Sequence, residues 1–151
     1  MKQHAKEFLR QVVEPTCTEY LATAGDLRRA RIAAIVLEHM TDYWAVEKSL
    51  KLKAAREMVH HECAEAKIIR DVADASKHCS LDRGDALTKR ADQVVRRPGS
   101  VLGGAPLNSG PLNAAPAIVI VQEIDNGFMQ IGFNQVMSAV LSYWQERCAS
   151  S

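Results

Sequence analysis

The chain has 151 residues, 47% hydrophobic and 25% charged, with a formal net charge of +1. That length suffices to bury a core in one domain. The near-neutral balance argues against a partner held by bulk charge, such as duplex DNA or an anionic membrane, while leaving room for a local basic patch.

Cys17, Cys63, Cys79 and Cys148 form no C-x-x-C pair and are too dispersed for a zinc site or a disulfide framework. Reduced thiols in a cytoplasmic protein are therefore expected. The segment from Met1 to Tyr20 is charged and broken by Pro15, unlike a secretory leader. The stretch Gly99 to Gln122 has no charged residue, and its prolines and glycines exclude a membrane-spanning helix.

Met1 to Val13 reads as a short amphipathic helix with Phe8, Leu9, Val12 and Val13 on one side, interrupted or restarted at Pro15. Thr16 to Ala24 continues helically and ends at Gly25 as a C-cap. Asp26 is the N-cap of the next helix, which runs to about Lys48. Ile32, Ala33, Ile35, Val36, Leu37, Met40, Tyr43 and Trp44 cover most of its circumference, as expected of a helix central to a bundle. Arg31, Glu38 and Asp42 share a narrow polar stripe in which Arg31 and Glu38 are spaced to pair.

Ser49 is the expected cap of a third helix from Leu50 to about Cys79, kinked or split near His60-His61. From Leu81 to Ala117 the helical pattern breaks. Asp82-Arg83-Gly84-Asp85 is a turn, and Val94-Val95 and Val101-Leu102 read as short strands. Between Arg96 and Ala117 lie four prolines and four glycines, a long irregular loop. Ile118 to Ile124 reads as a strand, Asp125-Asn126-Gly127 as a hairpin turn, and Phe128 to Phe133 as the return strand. Asn134 is placed to cap a last helix with Val136, Ala139, Val140, Tyr143 and Trp144 in one stripe.

The densest chemistry lies at the end of the third helix, in Arg70-Asp71-Val72-Ala73-Asp74-Ala75-Ser76-Lys77-His78. On a helical wheel Arg70, Asp71, Asp74, Lys77 and His78 fall within an arc of about 120°, with Ile68, Ile69 and Val72 opposite. An arginine can bind phosphate through paired donors, and a histidine can move protons near neutral pH. With the 2′-hydroxyl of RNA as nucleophile, such an arc suits phosphodiester cleavage without a metal. Salt bridges on a solvated helix end, with Lys77 and His78 favoured by the helix dipole, are the alternative.

The layout in which Gly25-Asp26-Leu27-Arg28-Arg29 opens a buried helix and Arg70 to Leu81 closes another resembles a set of uncharacterised bacterial proteins and the HEPN class of small helical bundles. The resemblance covers Met1 to about Leu81. It implies a homodimer, and a metal-independent RNase of the toxin or phage-defence type. Arg70 would bind the scissile phosphate, Asp71 would be the polar neighbour and His78 the acid–base group. Seven residues separate Arg70 from His78, one more than that motif's spacing.

Two further clusters stand out. Glu57, His60, His61, Glu62 and Glu65 include the Glu-x-x-His spacing of carboxylate-bridged di-iron bundles, without the second copy those bundles need. Glu57, His61 and Glu65 stack at helical spacing as an alternative metal set, with Glu38, His39 and Asp42 as scattered additions. His39, between Ile32, Val36 and Tyr43, otherwise reads as a hydrogen-bonded core histidine. Lys89, Arg90, Arg96 and Arg97 could guide single-stranded RNA into the arc alongside Asp74 and Lys77, but no aromatic residues accompany them, which favours a solvated loop.

The expectation is a mainly α single domain over residues 1–151, a bundle of roughly four helices with a β-hairpin before the last. Core helices occupy 1–80, an irregular region 81–117, the hairpin 118–133 and the last helix 134–149. Three functions fit: a HEPN-like RNase needing no cofactor, a non-catalytic module binding RNA or a protein, and a metal-binding bundle.

Overall fold

A computed structural model of the chain describes residues 4–98 and 115–150. The fold is mainly helical, with a small three-stranded antiparallel sheet that precedes the C-terminal helix. Val101-Leu102 and most of the Pro/Gly loop lie outside the described residues.

The N-terminal run comprises α1 (His4–Phe8), a π-helical turn (Leu9–Val13) and α2 (Glu14–Ala22). Pro15 accounts for the irregular turn: its ring crowds the carbonyl four residues back and it has no N–H to offer. A widened turn absorbs that conflict without ending the helix, and Pro15 sits in the first turn of α2. Leu9, Val13, Cys17 and Tyr20 are buried along one side.

Helix α2 ends at Ala22, three residues before Gly25. Gly25 has φ +97°, and a Cβ there would lie 2.7 Å from Pro116 Cβ, so only glycine fits the turn. Asp26 then caps α3 (Leu27–Glu47), its carboxylate accepting the Arg29 N–H at 3.1 Å. Helix α3 packs against α1, α2, α4, α5 and α6, burying Ala30, Ala33, Leu37, Met40 and Trp44.

Ser49 closes α3; it does not open the next helix. It has φ 54°, its N–H reaches Val46 O at 3.2 Å, and the Leu50 N–H reaches Ala45 O at 2.8 Å. That pair of bonds is a Schellman closure with serine where glycine is usual. The long helix expected over 50–79 is two helices, α4 (Leu52–Glu62) and α5 (Ala64–His78). Cys63 alone is extended between them, just after His60-His61. The break lets Ala55 and Val59 of α4, and Ile69, Val72 and Ala73 of α5, all enter the core against α3.

Cys79 (φ 66°) reverses the chain after α5. The following segment returns alongside it, with the Leu81 N–H on Lys89 O at 2.7 Å and the Ala91 N–H on Cys79 O at 3.0 Å. Part of the expected irregular region is therefore ordered, and it leads into β1 (Val94–Arg97). Strand β1 pairs with β2 (Ala117–Ile124), which pairs with β3 (Gly127–Gly132) across the two-residue turn Asp125-Asn126. Val94, Ile120 and Ile131 stand opposite one another across the sheet.

Helix α6 (Phe133–Ala149) buries Val136, Val140 and Trp144 as its pattern requires, with Phe133 and Met137 added. Asn134 is not its cap. Gly132 holds that position, and the Asn134 Oδ1 accepts the Tyr20 hydroxyl at 2.6 Å, tying α6 to α2. Among the described residues no helix is long and apolar enough to cross a membrane.

Candidate functional site

A charged seam runs where α3, α4 and α5 meet the segment after α5. Glu38 on α3 is buried, and its Oε1 accepts from Arg56 Nη2 on α4 at 2.8 Å. Lys77 on α5 bridges Glu38 Oε2 at 3.6 Å and Asp74 Oδ1 at 3.9 Å. Arg83, from the turn after α5, donates to Asp74 Oδ2 at 2.7 Å and makes a close ion pair with Asp71. The other Asp71 oxygen accepts the Leu87 N–H at 3.1 Å. Asp71 is only 1% exposed, so a satisfied carboxylate of this kind fastens the 80s segment to α5.

Beside this seam, α4 and α5 form a cleft of about 420 Å³ lined by Leu52, Lys53, Arg56, Glu57, His60, Arg70 and Asp85. Arg56 and His60 are four residues apart, so one face of α4 carries both. Arg56 Nε and Arg70 Nε are buried and make no hydrogen bond. Arg70 Nε lies 3.5 Å from Asp74 Oδ2, an ion pair without a hydrogen bond. Asp85, the acid at the rim, is engaged by Arg83 Nε at 3.1 Å and Lys67 Nζ at 3.8 Å. Burial pushes the His60 imidazole below its ordinary range, and the nearby Arg70, Lys67, Arg56 and Arg83 cations push it further. The cleft thus gathers two guanidinium groups and an imidazole held below its ordinary range, groups that can receive an anion and accept a proton.

The arc expected at the end of α5 is divided in the structure. Arg70 faces the cleft. Asp71 turns inward beside Ile69 and Val72 because Arg83 and the Leu87 amide compensate its burial there. Asp74 and Lys77 belong to the ion-pair seam. His78 is exposed on the last turn of α5 and does not line the cleft. Eight residues of helix carry it about 12 Å along the axis from Arg70.

The basic loop residues each have a local engagement. Lys89 lies 3.7 Å from Glu123, and Arg90 pairs with Asp92 at 2.9 Å. Arg96 and Arg97 stand on β1, where Arg96 Nε donates to Gly25 O at 3.1 Å and Arg97 donates to the Gln130 side chain. Neither lines the cleft.

The alternative metal stack loses its geometry at Cys63. The break falls between His61 and Glu65, and Glu57 and His61 face solvent. Among the described residues, the set whose ligand atoms converge is Glu38, His39 and Asp42. His39 is not a core histidine: its side chain is 43% exposed, with Nδ1 beside Glu38 and Asp42. Arg31 does not pair with Glu38; its Nη2 donates to Ala91 O at 2.9 Å.

Sequence reasoning missed Arg83, and it grouped His60 with Glu57, which lines the same cleft, but not with Arg56 and Arg70. The signal for Arg83 was present: Asp71 and Asp74 at i, i+3 on the end of a helix with a buried face need a cation, and the first turn beyond supplies one. Compared with family models, with curated proteins and with solved structures, the chain matches none.

Proposed function

We propose that the protein engages an RNA phosphodiester in the α4–α5 cleft and cleaves it without a metal, as a HEPN-like helical bundle acting as a homodimer. The observation that carries this reading is the meeting of Arg56, Arg70 and His60 in one cleft. Arg70 keeps the phosphate-binding role. The proton-transfer role passes from His78 to His60, whose neutral ring can take the 2′-hydroxyl proton as O2′ bonds to phosphorus. The P–O5′ bond breaks, and the imidazolium returns the proton to the departing O5′, leaving a 2′,3′-cyclic phosphate.

The test is incubation of a labelled single-stranded RNA with the full chain in EDTA. Cyclic-phosphate products lost in Arg70→Ala and His60→Ala but retained in His78→Ala support the reading. Loss in His78→Ala with retention in His60→Ala returns the proton-transfer role to the end of α5. Sedimentation of the free protein tests the dimer.

A non-catalytic binding module is the second reading, and β3 favours it. Among the described residues β3 is an edge strand, without a charged residue and with Phe128 70% and Met129 42% exposed. Such an edge can accept a strand from a protein partner. RNA retained on the protein without cleavage, or no RNA binding together with a protein partner whose capture needs Phe128, would favour this reading.

A further inference from the structure

We propose that Glu38, His39 and Asp42 form a three-ligand site on α3 for a divalent transition-metal cation of the zinc class. It is a different site from the phosphodiester cleft and shares Arg56 with it. The three residues fall at i, i+1 and i+4, which brings the outer two onto one helix face with the histidine beside them. One ligand atom from each lies within 4.8 Å of the others. His39 Nδ1 is 3.2 Å from Glu38 Oε2 and 3.4 Å from Asp42 Oδ2. A tetrahedral ion with bonds of about 2.0–2.1 Å sets its ligand atoms about 3.3 Å apart.

Those two separations are also those of hydrogen bonds, but His39 Nδ1 is buried and makes none. The nitrogen therefore faces two carboxylate oxygens without directing an N–H at either. That arrangement suits a lone pair aimed, with both oxygens, at a common centre.

The opposite oxygens are held from behind. Arg56 Nη2 lies 2.8 Å from Glu38 Oε1 and 3.7 Å from Asp42 Oδ1. This outer contact turns Oε2 and Oδ2 toward the imidazole, as guanidinium and amide partners orient carboxylate ligands in metal sites. Glu38 is 6% exposed and fixed in place, while the His39 and Asp42 side chains remain open enough to admit an ion and its water.

The electrostatic objection is the presence of cations. Arg56 remains on the outer oxygens. Lys77 Nζ sits 3.6 Å from Glu38 Oε2, where the ion would bind, but it already reaches Asp74 Oδ1 at 3.9 Å and can swing to it. A divalent ion would then replace the Lys77 ammonium and any proton on His39. Lys77 is thus a competitor for the ion's position.

The test is a Co2+ titration of EDTA-stripped full-length protein, read by visible absorption, with Zn2+ as competitor. Saturation near one equivalent, displaced by Zn2+ and absent in His39→Ala and Asp42→Asn with unchanged circular dichroism, supports the site. Lys77→Met must tighten Co2+ binding several-fold, a change that damage to the fold would not produce. Three outcomes overturn the proposal: no Co2+ spectrum in the parent chain, unaltered binding in His39→Ala, or weaker binding in Lys77→Met. RNA cleavage in EDTA is unaffected by any of these outcomes, so the two proposals fail separately.

Discussion

Arg83 and Arg70 both approach Asp74 Oδ2 and use the same functional group to different ends. Arg83 donates to Asp74 and is closely paired with Asp71. Arg70 approaches Asp74 without a hydrogen bond and lines a cleft with its Nε still lacking an acceptor. One arginine serves to close a buried carboxylate; the other lines a cleft beside Arg56 and His60. Charge type and helical position do not separate the two roles. What separates them is that the two Nη atoms of Arg83 pair with Asp74 and Asp71, whereas Arg70 meets Asp74 only as an ion pair; the Nε of each lacks an acceptor.

The largest effect expected from breaking this contrast is on stability. Arg83→Ala leaves Asp71 buried with the Leu87 N–H as its remaining bond, and should cost about 3 kcal/mol in urea unfolding. A cost below about 1 kcal/mol would mean that the pair behaves like an exposed one and fastens nothing. Arg70→Ala should show the reverse profile. Its ion pair is partly solvated, so stability should fall by less than about 1 kcal/mol. Affinity for a non-cleavable RNA should fall about tenfold, roughly 1.4 kcal/mol. If both substitutions move stability and affinity together, the distinction between clamp and cleft is lost.

A substitution outside both regions sharpens the comparison. Ser49→Gly relieves a positive φ at the end of α3 and should raise stability by about 0.5–1 kcal/mol without altering RNA affinity.

The sequence shows clearly what depends on local chemistry. Asp26 as a cap, the Asp125-Asn126-Gly127 turn and the apolar stripe of α6 each follow from residues within a few positions of one another. The mainly helical fold with its late hairpin was legible for the same reason. The third strand was partly legible, because Val94-Val95 read as extended while its partner lies more than twenty residues away. Ser49 misled because serine is a common N-cap, and here it occupies a left-handed closure instead. The polar arc misled for a different reason. A helical wheel treats one face as uniform, yet Asp71 is buried and His78 exposed within two turns of α5. Only the packing of the segment after α5, which brings Arg83 and the Leu87 amide onto Asp71, decides which side of the arc faces inward. The α4–α5 cleft was hidden by reading those helices as one, since Arg56 and His60 meet Arg70 only because the chain breaks at Cys63.

The smallest expected effect concerns His60 and bears most directly on the cleft. Its folded-state pKa lies below the ordinary histidine value because of burial and four neighbouring cations. Between those two values the unfolded chain binds more protons than the folded one, so stability falls as pH drops through this window. The contribution is fully present above the ordinary histidine pKa of about 6.5. His60→Gln should flatten the dependence of unfolding free energy on pH below the ordinary histidine pKa of about 6.5. An anion seated against Arg56 and Arg70 offsets the cations that depress the imidazole, so a bound non-cleavable RNA should raise the His60 pKa measured by NMR. The ring resonances of an exposed histidine away from the ligand, such as His78, should not change. If RNA moves the His78 resonances and leaves those of His60 unchanged, the ligand lies at the end of α5 and not against Arg70.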